Sequence, residues 1–388
     1  MRLYRRLLII LALLLTRIAG LIRDGILVRT NLSLEELDNL LLALGTMSVV
    51  GAIAKAYRTN LYSKHEDTQW VYLFRTYSSS LIILSVFLGI CILLVTSIPW
   101  EYVLVSICNF VGITVLSFYI IKLENKLKTV SAYLLQLIVS IISIGIVYIG
   151  KESMSHLIVL LGLASPVLFS TYALMKIKVN EDIIGFTKKS FLFLKTESQI
   201  LYLLVGSEIL RFIERSLLKV NGEGVLSEFM IANRYLLVYN TIFVAALINE
   251  HYSGQNRLDN TRISILKILI ITGGIFLILT PLNNSIFISL FGENFIHINL
   301  EIFWLLSLSA VLTGFVAYYT QELVYLEKRR IYAKIYFVLG LIRLFGVFAF
   351  VRINVHWYPI VLIVSNLVIL LLIYWIKRKD RGLSSLVG

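Results

Sequence analysis

The chain has 388 residues, 58% of them hydrophobic and 15% charged, with a mean hydropathy of +0.85. A soluble domain carries about a quarter charged residues, so a water-soluble globular enzyme is excluded. The net charge of +13 comes from Lys and Arg placed between long apolar runs, which speaks for membrane topology and against nucleic acid as a partner.

The first run, 7–28, reads LLIILALLLTRIAGLIRDGILV. It can cross a bilayer, which takes about 20 apolar residues. Its basic lead-in resembles a signal peptide. However, no small-x-small cleavage site follows and Arg17 interrupts the apolar stretch, so it reads as an uncleaved span. Arg17, Arg23 and Asp24 lie inside it. A charge at membrane depth costs roughly 2.5–3.5 kcal/mol on insertion scales. These three must therefore face a wet cavity or one another. Arg17, Gly20 and Asp24 share a face at i, i+3, i+7 spacing, with Arg23 beside them. A simple ion pair between Arg23 and Asp24 is the alternative for those two.

Further runs follow at 37–57, 77–98, 101–121, 130–150, 155–175, 196–218, 226–250, 264–283, 298–323, 331–351 and 356–376, for twelve spans in all. Lys and Arg alternate in abundance from loop to loop: 26 fall on one side, 5 on the other and 5 within spans. That asymmetry places both termini in the cytoplasm. Reporter fusions after Arg29, Lys151 and Asn221 are expected to read periplasmic, and fusions after Lys126 and Arg257 cytoplasmic. A cytoplasmic signal at Lys151 or Asn221 breaks the two-lobe organisation described next.

Residues 176–195 form a basic stretch with the amphipathic segment IIGFTKKSFLFLK, expected to lie on the anionic inner leaflet as a linker. It separates an N-lobe at 1–175 from a C-lobe at 196–388. LIRDGILVRTNLSLEELDNLLLA in the first half aligns with FIERSLLKVNGEGVLSEFMIANR in the second at an offset of 191 residues. Six spans per half make this a parallel repeat. The expected fold is an all-α polytopic membrane protein, with two six-helix lobes around a central cavity. The loops are short, which disfavours a membrane polysaccharide polymerase or ligase.

In the seventh span Glu208, Arg211 and Arg215 repeat the i, i+3, i+7 spacing, with Glu214 adjacent. The eighth contributes Asn233 and Arg234, the second opens with Glu35, Glu36 and Asp38, and Arg343 is a further arginine in the eleventh. Guanidinium is suited to forked recognition of phosphate, so the cavity is expected to prefer an anion. A proton-coupled antiporter using Asp24 or Glu208 stays open. Under the offset, Arg23 falls on Glu214 and Asp24 on Arg215, a sign inversion that suggests an outer gate formed with Glu208, Arg211, Glu214 and Arg215. Pairing within each helix end is the alternative. Cys91 and Cys108 lie in apolar spans, and the five histidines show no metal-site spacing.

The run TRIAGLIRDGILV resembles the first helix of the multidrug/oligosaccharidyl-lipid/polysaccharide (MOP) exporter superfamily, whose lipid II flippases carry a similar SR-x-x-G-φ-x-RD pattern. ERSLLKVNGEGVLSEFMIANRYL is similar to its seventh and eighth helices. The resemblance implies that Arg17, Arg23 and Arg234 engage a substrate pyrophosphate and that Asp38 matches an acidic residue opening the second helix. Two features depart from the lipid II flippases. VGAIAKAY stands where an EGAFS-like stretch and a further arginine are usual, around Gly51, and twelve spans replace fourteen. Both shift the resemblance toward Wzx-type flippases of other lipid-linked saccharides. It implies a monomer in the bacterial inner membrane that works without a cofactor. The partners would be a polyprenyl-pyrophosphate-linked saccharide and the bilayer. Coupling to the membrane potential or a monovalent ion stays open. So does a cation-coupled drug antiporter of the same superfamily.

Overall fold

The computed structural model describes residues 2–30, 32–62, 67–125, 129–176, 198–239, 259–292, 297–325 and 329–384. Among them the regular structure is helical throughout. The helices are α1 (Arg2–Val28), α2 (Leu34–Thr46), α3 (Ser48–Tyr62), α4 (Asp67–Val95), α5 (Trp100–Asn125), α6 (Thr129–Glu152), α7 (His156–Ala164) and α8 (Pro166–Lys176). They continue with α9 (Ser198–Val220), α10 (Val225–Tyr239), α11 (Asp259–Ile278), α12 (Thr280–Phe291), α13 (Leu300–Tyr325), α14 (Arg329–Gly346) and α15 (Tyr358–Ser384). A π-helical turn at Val347–Val351 ends α14.

Three of the twelve expected spans are pairs of helices joined at a break: α2/α3, α7/α8 and α11/α12. Sequence chemistry explains two of the breaks. Pro166 has no N–H to offer the Gly162 carbonyl. The Ser143 and Ser165 hydroxyls donate to that carbonyl instead, each at 2.8 Å, and Asn109 Nδ2 donates to the neighbouring Leu163 carbonyl at 2.6 Å. Pro281 likewise sits in the first turn of α12, which leaves α11 at a bend of 62°. At the start of α2, Ser33 and Glu36 form a reciprocal capping box: Ser33 N–H donates to Glu36 Oε2 at 2.8 Å, and Glu36 N–H donates to Ser33 Oγ at 3.2 Å.

Among the described residues eight helical spans are long and apolar enough to cross a membrane, and the bent α11/α12 pair makes a ninth. The remaining expected spans correspond to α1, α9 and α10. These hold every candidate site residue except Asp38. α1 and α9 each carry several charged residues, and α10 is described over 15 residues.

Contacts divide the chain into two compact units, Met1–Arg215 and Ser216–Gly388. In the first, α5 packs against α2, α3, α4, α6, α7 and α8, while α1 lies along α6. Close approach is built in at Gly112 of α5, where a Cβ would stand about 2.5 Å from the Pro166 and Val167 backbone. In the second unit α13 packs against α10, α11, α12, α14 and α15. Each hub is the fourth span of its half. The repeat is also visible at the helix ends: Val220 lies 192 residues after Val28, and Val225 lies 191 after Leu34. Large apolar side chains such as Phe87, Leu94, Phe345 and Leu371 are exposed on the outer faces, as a lipid-facing surface requires. Beyond Lys176, the expected linker at 176–195 lies outside the described residues, as does the end of the eighth span after Tyr239.

Candidate functional site

Arg17, Arg23 and Asp24 sit in the C-terminal half of the 27-residue α1. Arg17 is in that helix, and its side chain lies outside the described ones. Arg23 is fixed by its neighbour: Nε and Nη2 both donate to Asp24 Oδ1, at 3.4 and 3.1 Å. The Asp24 side chain is 10% exposed and that of Arg23 22%. Among the described residues Arg23 has no partner besides Asp24, so its Nη1 edge remains open. The carboxylate holds the base of the guanidinium and leaves its outer edge for something else.

The seventh span repeats this arrangement. Arg211 Nη1 donates to Glu208 Oε1 at 2.7 Å, one turn apart, with Glu208 at 6% side-chain exposure and Arg211 at 26%. Glu208 Oε2 is buried with no hydrogen-bond partner among the described residues. Glu214 is buried as well. In both helices the acid is the buried member of the pair and the arginine the accessible one. A buried charge is tolerated only with a partner, so each acid is placed to orient its arginine.

Arg215 does something the spacing did not foretell. Its Nη1 donates at 2.8 Å to the carbonyl of Gly45, at the break between α2 and α3. The same carbonyl accepts the Met47 N–H and the Ser48 hydroxyl, the latter at 2.7 Å. Three donors thus converge on the end of α2, where a helix leaves carbonyls without intrahelical partners. Asp38 is 1% exposed, four residues into α2 and one turn beyond the capping box. Arg234 belongs to the second unit, half-buried on α10. Its neighbour Tyr235 packs edge-on against Phe287 at 5.5 Å between centroids.

Sequence reasoning passed over another buried acid. Glu228, 1% exposed in the first turn of α10, accepts the His297 backbone N–H at 2.8 Å and pairs with His297 Nδ1 at 3.1 Å. The pair ties the start of α10 to the segment leading into α13. An acid in a first helical turn and a histidine just before another helix were the available signals. The structure therefore brings together Arg23 with Asp24 and Glu208 with Arg211, and it joins Arg215 to the α2 break. Cys91 and Cys108 are free thiols.

No protein-family model and no characterised relative matches the chain by sequence. Solved structures do match it. The lipid II flippase MurJ in an inward closed conformation superposes with a TM-score of 0.75 at 15% identity, over 96% of this chain and 87% of that one. The chain has the fold of that structure. A multidrug resistance transporter of the MATE family, also of the MOP superfamily, matches in its inward-facing conformation with a TM-score of 0.60 at 14% identity, over 95% of this chain and 96% of that one. An outward-facing MATE structure matches with 0.61 at 15%, over 98% and 96%. The matched structures are of a flippase and of transporters, and their multi-pass helical fold is the one read from the sequence.

Proposed function

We propose that the protein is a flippase that moves a polyprenyl-pyrophosphate-linked saccharide from the inner to the outer leaflet of a bacterial inner membrane by alternating access. The observation that supports this most directly is the paired geometry of α1 and α9. Buried Asp24 holds Arg23 by one edge and leaves its Nη1 with no partner among the described residues, for an anion to take, and buried Glu208 pairs with Arg211. Arg17 and Arg234 add two further cations on charged spans. The saccharide would cross in the aqueous path while the lipid tail stays in the bilayer, and no covalent bond changes. The protein would act as a monomer with both termini cytoplasmic. It would draw on the membrane potential or a monovalent ion.

A second reading, a cation-coupled small-molecule antiporter, is favoured by the MATE likenesses and by the buried Glu208 oxygen that has no described partner. One experiment separates the two. The purified protein is reconstituted in vesicles with a fluorescent polyprenyl-pyrophosphate disaccharide in the inner leaflet, and appearance of the label outside is followed with a membrane-impermeant quencher. Translocation dependent on the protein and on Arg23 is the expected result. No translocation, together with proton-driven efflux of a cationic dye, would establish the antiporter instead.

A further inference from the structure

A hollow in the first unit holds groups that the reading above does not use. It lies where the turn after α1 meets the turn between α6 and α7, and Thr30, Lys151, Met154, Ser155 and His156 are among its lining. The charge alternation assigns both turns to the outer side. The second turn is built with a residue that does not suit it. α6 ends in a cap in which Ser155 N–H donates to the Gly150 carbonyl at 2.9 Å and Met154 N–H to the Lys151 carbonyl at 3.1 Å. Such a cap takes a left-handed residue, usually glycine. Here it is Met154, at φ 53°, and among the described residues no other non-glycine has a positive φ. Glycine would close the turn without the cost of a Cβ in that region. Methionine adds an apolar side chain, 76% exposed, at the hollow. Strained residues of this kind gather at ligand clamps.

The polar groups of the hollow have capacity left over. His156 Nε2 is hydrogen-bonded to the hydroxyl of buried Tyr102 at 3.3 Å, which fixes the ring, and Nδ1 has no partner among the described residues. Lys151 Nζ stands 3.6 Å from the exposed Glu152 carboxylate, which engages only part of an ammonium with three donors. The Ser155 hydroxyl makes no capping bond to α7. Thr30 donates to the Leu27 carbonyl at 2.6 Å and can still accept. Glu152 beside Lys151, and Glu36 within electrostatic range of His156, offset the positive charge, so the hollow does not select an anion. Donors and acceptors next to an apolar side chain match a sugar ring, which carries hydroxyls on its edge and C–H bonds on its faces. The position also fits. Thr30 follows Arg23 by seven residues, about 10 Å at 1.5 Å per residue, and that spacing returns to the same side of a helix. The turn after α1 continues its winding, with Arg29 and Thr30 N–H donating to the Ile26 and Leu27 carbonyls at 3.0 and 3.1 Å. A saccharide joined to a pyrophosphate at Arg23 and extending toward water meets the hollow.

We propose that this hollow is a binding site for a sugar ring of the cargo. Lys151, Ser155 and His156 take ring hydroxyls, and Met154 lies against the apolar face of the ring. The site rests on the flippase reading and deepens it. It gives the saccharide a station at the outer end of α1, separate from the one for the pyrophosphate.

The test uses the purified full-length protein in detergent, with bound lipid read by native mass spectrometry. The probes are undecaprenyl pyrophosphate and the same lipid carrying glucose, galactose or N-acetylglucosamine. The wild type is expected to bind at least one sugar-bearing lipid about tenfold more tightly than the bare one, the scale of one or two hydrogen bonds. Lys151→Ala and His156→Ala are each expected to remove most of that gain and to leave the bare lipid unchanged. Arg23→Ala is expected to weaken all of these lipids alike. Met154→Gly guards against variants that misfold. Glycine suits the left-handed position, so the unfolding midpoint should hold or rise while the sugar gain falls, the opposite of what a merely structural methionine would give. A sugar gain that survives in all the hollow variants overturns the site and keeps the flippase reading. So does a wild type that binds the bare lipid and gains nothing from any of the sugars. No binding of any of these lipids overturns the flippase reading, and the site with it.

Discussion

Arg23→Ala protein, inserted and abundant, is expected to lose export by about tenfold to a hundredfold, the effect of one or two charged hydrogen bonds at roughly 1.5–3 kcal/mol each. Arg17→Ala and Arg234→Ala should do the same. Lysine at these positions should rescue only in part, since a point charge lacks the fork. Arg23 offers the sharpest version because its partner is known. If it serves only to neutralise Asp24, then removing both charges should restore transport, because no buried acid is left alone. If its open Nη1 edge holds the substrate, the Arg23→Ala, Asp24→Ala double variant stays as inactive as the single. Export measured in cells depleted of their own flippase distinguishes the two. Recovery in the double variant would reduce Arg23 to a structural counter-ion.

The same logic applies to the proposed outer gate. The structure shows Arg23 with Asp24 and Glu208 with Arg211, pairings within each helix. Glu214, Asp24 and Arg215 each make further interactions. A charge swap, Arg23→Glu with Glu214→Arg, is expected to recover export lost in either single variant if the gate forms. A double variant no better than the worse single would remove it.

Hydropathy made the spans legible because burial in lipid acts on composition over about 20 residues at a time. The twelve runs and the six-plus-six repeat follow from that scale, and so does the distinction between charged and apolar helices. What was not legible acts at one or two residues. Pro166 and Pro281 stood in plain view, yet hydropathy runs straight through them, and the break at Met47 has no proline at all. The charge set in α1 and α9 was visible, but its pairing was not. Spacing puts Arg215 on the stripe of Glu208 and Arg211, and nothing in the pattern sends it to a glycine carbonyl 170 residues away. Glu228 was missed because a first-turn acid usually only complements the helix dipole, and its role depends on a histidine brought near by the fold.

Gly45→Ala is expected to destabilise the protein, against the usual sign of that substitution. Inside a helix, alanine in place of glycine should stabilise by about 1 kcal/mol. Here the new Cβ would overlap Arg215 Nη1 and stand 3.2 Å from its Cδ and Cζ. The obstacle is the end of a flexible side chain, so the guanidinium swings away and no backbone need move. The cost is then the lost charge-assisted bond to the Gly45 carbonyl, roughly 1.5–3 kcal/mol, partly offset by the gain in helix propensity. Arg215→Ala should lose about the same bond, and the two losses should not add, since both remove one interaction. The sign should reverse in the Arg215→Ala background, where no guanidinium occupies the space over Gly45. There Gly45→Ala should raise the unfolding midpoint in detergent or leave it unchanged. Arg215→Lys should fall between, since an ammonium can reach the carbonyl but not fill the site as a plane. Because this contact fixes α9 at the break between α2 and α3, loss of export should track loss of the bond across all four proteins. Additive losses, with Gly45→Ala equally harmful whether or not Arg215 is present, would show that the glycine is required by the α2 backbone itself and that Arg215 does not hold the break.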